Sequence, residues 1–213
     1  MKVPDDKITS GNFPIILASA SPRRGELLRQ LGLNFQIIPP SLEDNNLPPT
    51  KSEINSPHQY ALRLAQRKAE QIANQNKGLI ISADTIVVLG KNIFGKPRNR
   101  QQARQMLRCL SGNTHQVITA VVIWDIKSGT KLKDYDKSLV KIRELEDKEI
   151  EDYLDTDEPY DKAGAYGIQG IALKFVEKIE GSYSNVVGLP LEKMISWLTN
   201  FGIYVKPSTS IHC

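Results

Sequence analysis

The chain has 213 residues, 40% hydrophobic and 24% charged, a formal net charge of +4 and two cysteines, which suits one globular domain or two intimately packed lobes. Its positive charge is modest and scattered, against a nucleic-acid-coating surface. No apolar run approaches the roughly 20 residues of a membrane helix, and the apolar stretch Phe13 to Ala18 is too short for a signal peptide. Cys109 and Cys213 form neither a disulfide framework nor a metal-ligand spacing, so the expected setting is the reducing cytoplasm.

Residues 1–12 read as a disordered tail, followed by one domain over 13–205 and a second tail over 206–213. Phe13 to Ala18 reads as a short buried strand. A helix follows, with Ser21 at the N-cap, Pro22 at the first helical position, and Leu27, Leu28 and Leu31 on one side. Arg23 and Arg24 then fall in its first turn, against the positive end of the helix dipole, offset only in part by Glu26. Backbone N–H groups, the hydroxyls of Ser19 and Ser21, and two guanidinium groups converge there, as a phosphate site requires. The alternative is that both arginines lie back into solvent or pair with acidic neighbours.

Asn34 to Ile38 reads as a strand, and Pro39 to Pro57, rich in Pro, Asn, Ser and acidic residues, as a long surface loop. Gln59 to Asn74 reads as a helix, with Leu62, Ala65, Ala69, Ile72 and Ala73 at helical spacing. Lys68 lies on the row Ala61, Leu64, Lys68, Ile72 at the margin of its apolar face. That position favours a side chain that snorkels to water over one aimed into a cleft, and Arg63 and Arg67 read as solvated. Gly78 to Leu89 is a near-continuous apolar strand interrupted by Asp84. A carboxylate there needs a cation or hydrogen-bond donors: it is a magnesium ligand or general base at a cleft, or a structural group paired with a buried Lys or Arg.

Gly90 to Lys96 satisfies most of G-x-x-x-x-G-K-S/T, but Pro97 stands where the hydroxyl is required, so the segment is read as a hairpin around Gly90 to Asn92 and not as a P-loop. Lys96 is either a phosphate-neutralising cation or a solvated turn lysine. Further elements are a helix over Arg100 to Leu110, strands over Gln116 to Ile126 and Ser138 to Arg143 with a hairpin turn at Lys127 to Thr130, a helix over Asp147 to Leu154, a strand over Ala172 to Ile179, and a helix over Leu191 to Phe201. Between them, Asp161 to Gly170 carries glycines at every third position and could present Gln169 to a base or phosphate, or form a tight structural turn. Gly181 to Pro190 is a second small-residue loop. His58, His115 and His212 do not cluster, against zinc. The expected fold class is α/β, with a mixed, partly antiparallel central sheet and flanking helices.

Six segments acquire collective meaning: S-A-S-P-R-R (19–24), L-A-Q-R-K-A (64–69), S-A-D-T-I-V (82–87), G-K-P (95–97), D-K-A-G-A-Y-G-I-Q-G (161–170) and G-S-Y-S-N-V-V-G-L-P-L (181–191). Together and in this order, they resemble the Maf family of nucleoside triphosphate pyrophosphatases over residues 14 to about 201. The resemblance implies two lobes around a deep cleft, a fold shared with the inosine triphosphate pyrophosphatases, and a homodimer. It also implies hydrolysis of a nucleoside triphosphate to the monophosphate and pyrophosphate with Mg2+ or Mn2+. By match, Ser19, Arg23, Arg24, Lys68, Asp84, Lys96 and Gln169 fall on the family's functional positions, with Asp84 and Lys96 as the catalytic pair.

There are two departures. Glu43-Asp44 stands where the family commonly reads Asp-Glu, so either Asp44 or Glu43 takes the second metal or phosphate role beside Asp84; Ala120 stands where the family often has Gly. The branch acting on 7-methyl-GTP typically carries Trp, Gln and Glu where this chain has Arg23, Thr85 and Gln169, so the resemblance implies the dTTP/UTP branch and a role in cleaning the nucleotide pool. A neutral amide suits uracil or thymine, accepting from N3–H and donating to a carbonyl. The alternatives are the 7-methyl-GTP branch and a non-enzymatic septum-formation or nucleic-acid-binding regulator.

Overall fold

Seven strands form one mixed sheet in the order β2-β1-β3-β5-β6-β7, with β4 pairing β3, in a computed structural model that describes residues 14–41 and 47–205. In chain order the elements are β1 (Ile15–Ala18), α1 (Pro22–Gln30), β2 (Gln36–Ile37), α2 (Lys51–Asn55), α3 (Pro57–Ala73), β3 (Leu79–Leu89), β4 (Asn92–Phe94), α4 (Arg100–Leu110), β5 (Thr114–Asp125), β6 (Lys131–Ile142), α5 (Asp147–Leu154), β7 (Val176–Glu180), α6 (Tyr183–Val187) and α7 (Leu191–Thr199). β1 runs parallel to β2 and β3, whereas β3, β5, β6 and β7 are successively antiparallel. The mixed α/β sheet expected from the sequence is therefore present. The expected tails over 1–12 and 206–213 lie outside the described residues.

Strand alternation divides the core into two layers. Leu79, Ile81, Ala83 and Val87 of β3, with Val117, Val121 and Ile123 of β5, face α1, α4, α5 and α7. Ile80, Ile86 and Val88, with Ile118, Ala120 and Val122, face α3. Both faces of the two central strands are covered, which is why their sequences read as apolar runs.

Four expectations are corrected at the level of the fold. The segment Pro39 to Pro57 is not all loop, because Lys51–Asn55 is helical behind a capping box. Thr50 accepts from the Glu53 backbone N–H and the Glu53 carboxylate accepts from Thr50 N at 2.8 Å. The signal is present in the sequence as Thr50-Lys51-Ser52-Glu53. Arg63 is not simply solvated, since its guanidinium grips the Glu53 carboxylate at 2.6 and 2.8 Å. The strand expected from Ala172 begins only at Val176, because Ile171 N and Ala172 N donate to the Glu158 carboxylate and a short 3-10 turn replaces the ladder. β6, conversely, is longer than Ser138 to Arg143. Its first half, Lys131 to Lys137, is polar because much of it faces solvent.

A buried pair ties the sheet to the 161–170 segment. His115 of β5 sits 2.6 Å from the Tyr166 hydroxyl, and burial pushes its imidazole down to about 4. His115 is therefore neutral in the fold at pH 7, whereas in the unfolded chain it takes up a proton below about 6.5. Its contribution to stability is full above that value and is lost as pH falls towards 4, with about 2 kcal/mol lost between pH 7 and pH 5. In His115→Gln, the difference in urea-unfolding free energy between these pH values should shrink by about that amount. The Arg63 hydrogen bonds hold the Glu53 carboxyl down at about 2. Glu53→Ala removes both that pair and the helix cap, and should lower stability at pH 7 by about 1–2 kcal/mol in the same assay.

Candidate active site

The site arises from a gap along one edge of β3. Its other edge is paired with β5 from Leu79 to Val88. On the open side, β1 covers only Leu79 to Ser82, and β4 covers only Val87 to Leu89. The residues from Ala83 to Ile86 have no strand there, and a cleft of about 880 Å³ opens at that point. β1 ends into Ser19 and the start of α1 on one side of the gap; β4 ends into Gly95 and Lys96 on the other. The cleft thus lies beyond the carboxyl end of β1, where open α/β sheets bind ligands.

Alternation sends the two polar residues of β3 to opposite faces. Asp84 points towards α3 and forms an ion pair with Lys68 at 2.6 Å, both groups being buried. α3 lies close to the sheet because Ala61, Ala65 and Ala69 face it, and the Ser82 hydroxyl donates to Ala65 O at 2.8 Å. At that separation the lysine reaches the carboxylate, so the snorkelling position favoured by its helical row is corrected. The cation required by Asp84 comes from a neighbouring helix and not from the strand.

Thr85 points the other way and meets Arg24. The Arg24 guanidinium donates to Gly188 O at 2.9 Å, Ala83 O at 2.8 Å, Thr85 Oγ1 at 3.0 Å and Ser19 Oγ at 3.4 Å. It occupies the open edge of β3 and supplies to Ala83 O a hydrogen bond that a strand would otherwise make. Gly188 adopts a φ of 127°, in the region that favours glycine, where it turns its carbonyl to this arginine. Arg23, in contrast, is half-buried at the mouth and pairs with Asp161 at 2.9 Å. Against the upward push of burial, hydrogen bonds from Lys162 and Arg23 hold the Asp161 carboxyl below its usual range. Ser21 and Pro22 stand at the N-cap and first helical positions as expected, but the Ser21 hydroxyl makes no cap bond; Ser21 N instead donates to Ser19 Oγ at 3.1 Å.

The far wall is the 158–170 segment. Gly164 and Ala165, with φ of 72° and 62°, reverse the chain and direct Tyr166 beneath β5 to His115. Glu158 holds the following turn through Ile171 N and Ala172 N, and a Cβ at Gly170 would overlap its carboxylate. Gln169 lies exposed on this wall, and Lys96 is exposed opposite. Among the described residues, neither has a hydrogen-bond or ion-pair partner. Ser19, Arg23, Arg24, Lys68, Asp84, Thr85, Lys96 and Gln169 all line the one cleft. The sequence reading missed Asp161, Glu158 and the buried Thr119 and Asn185. Thr119 carries the same signal as Asp84, a polar residue inside the apolar run Val117 to Val122.

Glu43 and Asp44 lie outside the described residues, which hold no group of three or more His, Cys, Asp or Glu side chains placed for a metal. Of the carboxylates that line the described cleft, Asp84 is the buried one, while Glu158 and Asp161 are committed to the segment they brace and Glu26 is exposed. Magnesium is commonly held by one or two carboxylates together with substrate phosphate oxygens and water, so a cleft with Asp84 and a triphosphate fits that ion.

Comparison with known proteins shows the family of the chain. The chain matches the family model described as Maf-like protein over residues 14–201. A protein named dTTP/UTP pyrophosphatase from Desulforamulus reducens is 44% identical over 193 residues, covering 90% of this chain and 98% of the relative. A protein of the same name from Clostridium botulinum (strain Okra) is 46% identical, with coverages of 89% and 97%. A third, from Caldicellulosiruptor saccharolyticus, is 44% identical, with coverages of 88% and 94%. The solved structure of a HAM1 protein from Coxiella burnetii is 14% identical with a TM-score of 0.43, covering 88% of this chain and 99% of that one. With its motifs gathered around one cleft and the family model spanning all of them, this chain belongs to the Maf-like family.

Proposed function

We propose that the protein hydrolyses dTTP and UTP to the monophosphate and pyrophosphate, acting in the cytoplasm on the free nucleotide pool as a homodimer. The reading is carried by the gap in β3. It brings cationic side chains, hydroxyls and one buried carboxylate to a single cleft whose wall also carries Gln169. The substrate class is supported by the relatives' names and by Arg23, Thr85 and Gln169, which differ from the Trp, Gln and Glu of the 7-methyl-GTP branch.

In this reading the triphosphate lies along the start of α1, with Ser19 and the first-turn N–H groups positioning it. Arg24, committed to Ser19, Thr85 and two carbonyls, keeps these groups in register and contributes positive charge. Lys96, across the gap from α1, meets the outer phosphates, while Arg23 at the mouth lies towards the base. Asp84, oriented by Lys68, accepts a proton from a water molecule as its oxygen attacks the α-phosphorus. The bond from that phosphorus to the α–β bridging oxygen then breaks, and pyrophosphate leaves with its charge met by the lysines and Arg24. A divalent cation held by Asp84, with Glu43 or Asp44 as a second carboxylate, would neutralise phosphate charge when bound.

A panel of dTTP, UTP, CTP, GTP and 7-methyl-GTP with magnesium, read as pyrophosphate against phosphate, tests this reading. Pyrophosphate from dTTP and UTP is the expected result, and phosphate release or inactivity on the panel overturns it. Asp84→Asn should lower turnover on every substrate at least ~100-fold with its near-ultraviolet circular dichroism unchanged. Arg24→Ala should depress hydrolysis of all nucleotides, whereas Arg23→Trp should chiefly change which base is preferred. Equal losses across the panel for both arginine variants would assign them one shared phosphate role.

A further inference from the structure

Behind Thr85 runs a row of buried polar groups that the proposed reaction does not use. Thr119 of β5 is fully buried, and its hydroxyl donates to Asn185 O at 2.8 Å. A threonine hydroxyl has one hydrogen, so towards Thr85 Oγ1, 2.9 Å away, Thr119 can only accept. The hydrogen of that contact therefore belongs to Thr85. Thr85 Oγ1 also accepts from Arg24 Nη2 at 3.0 Å. With its hydrogen directed to Thr119 and one lone pair facing Arg24, the Thr85 oxygen has one lone pair left over, and Thr85 is a residue of the cleft wall.

A reversal is excluded because the partner of Thr119, Asn185 O, is a backbone carbonyl and can only accept, and the Asn185 side chain is itself held in place. Asn185 Nδ2 donates to Val117 O at 3.1 Å and Ser138 Oγ at 2.9 Å, and the Ser138 hydroxyl donates to Ser182 O at 3.0 Å. With the Thr119 hydrogen committed to Asn185 O, the polarity of the Thr85–Thr119 contact is set from inside the sheet outwards. Thr85 meets the cleft as an acceptor.

We propose that Thr119 is a positioning residue for base selection: by taking the Thr85 hydrogen, it makes Thr85, in place of the Gln169 amide, the acceptor for N3–H of uracil or thymine, and leaves Gln169 to donate to a ring carbonyl. Cytosine presents an unprotonated N3 at the same place, and two facing acceptors repel with no hydrogen bond between them. This inference rests on the pyrimidine-triphosphate reading above. It adds a reason for that preference located one layer behind the cleft, in a residue that no substrate touches.

The test compares UTP and CTP as kcat/KM, with pyrophosphate as readout, in the wild type, Thr119→Val and Thr119→Ser. Valine keeps the shape and removes the acceptor, so the Thr85 hydrogen turns into the cleft, where it suits cytosine N3. The UTP-over-CTP ratio should fall at least tenfold, chiefly through KM, and Thr119→Ser should restore it. If Thr119→Val does not fold, Thr119→Ala should show the same fall. An unchanged ratio with both rates lowered equally, as a purely structural role or a contact to the sugar would give, overturns the inference, as would equal wild-type rates on UTP and CTP. Wild-type inactivity on both UTP and dTTP would overturn the functional reading as well.

Discussion

Four residues of β3, from Ala83 to Ile86, have a strand on one edge only, and the site is organised around that interruption. A backbone carbonyl left on an open, buried edge needs a donor, and Arg24 supplies one to Ala83 O. An arginine is suited to this because its planar fork can serve several acceptors at fixed angles. The same guanidinium therefore reaches Ser19, Thr85 and Gly188, tying the start of α1, the middle of β3 and the end of α6 into one unit. Because the edge is filled by a side chain and not by a strand, a cavity remains beside it.

The charges in that cavity sit where simple burial rules disfavour them. A buried ion pair such as Lys68–Asp84 seldom stabilises a fold more than apolar groups of the same shape would. Its position at the cleft wall, on the strand that carries the gap, is intelligible as a requirement of chemistry. The alanine row of α3 shortens the distance between helix and sheet, and so makes the pair possible. Arg23, only two helical positions from the helix start, instead faces Asp161 across the mouth. Two adjacent arginines in the same turn are thus used for different ends: Arg24 braces the floor, while Arg23 links α1 to the opposite wall.

That wall is held by polar groups placed from within. Glu158 gathers two backbone N–H groups, Lys162 donates to Glu158 O, and Tyr166 reaches the neutral His115. Gln169 projects from this braced turn without a partner among the described residues, leaving its amide available to a ligand. On the same face of the sheet, the row from Thr85 through Thr119 to Asn185 orders hydrogens in one direction. Both devices act on the cleft through residues that do not line its reactive centre.

Much of this was legible in the chain itself. Apolar runs marked β3 and β5 because those strands are covered on both faces, and α4 and α5 matched their expected bounds because their periodic faces and ends are local properties. Asp84 was conspicuous for the same reason: a carboxylate in such a run demands a partner. The local signal at Thr50 to Glu53 was also present, though obscured by the surrounding prolines and polar residues. Only the tertiary structure decided which partner Asp84 takes, since Lys68 lies sixteen residues away and reaches it through helix–sheet spacing, which no helical row encodes. It likewise decided that residues 171–175 turn towards Glu158 in place of joining the sheet, and that Arg23 and Arg24 part company. The physical reason is common to all three. Periodicity and caps are set by neighbours along the chain, whereas the pairing of a buried charge or N–H is set by whichever group the fold brings within about 3 Å of it.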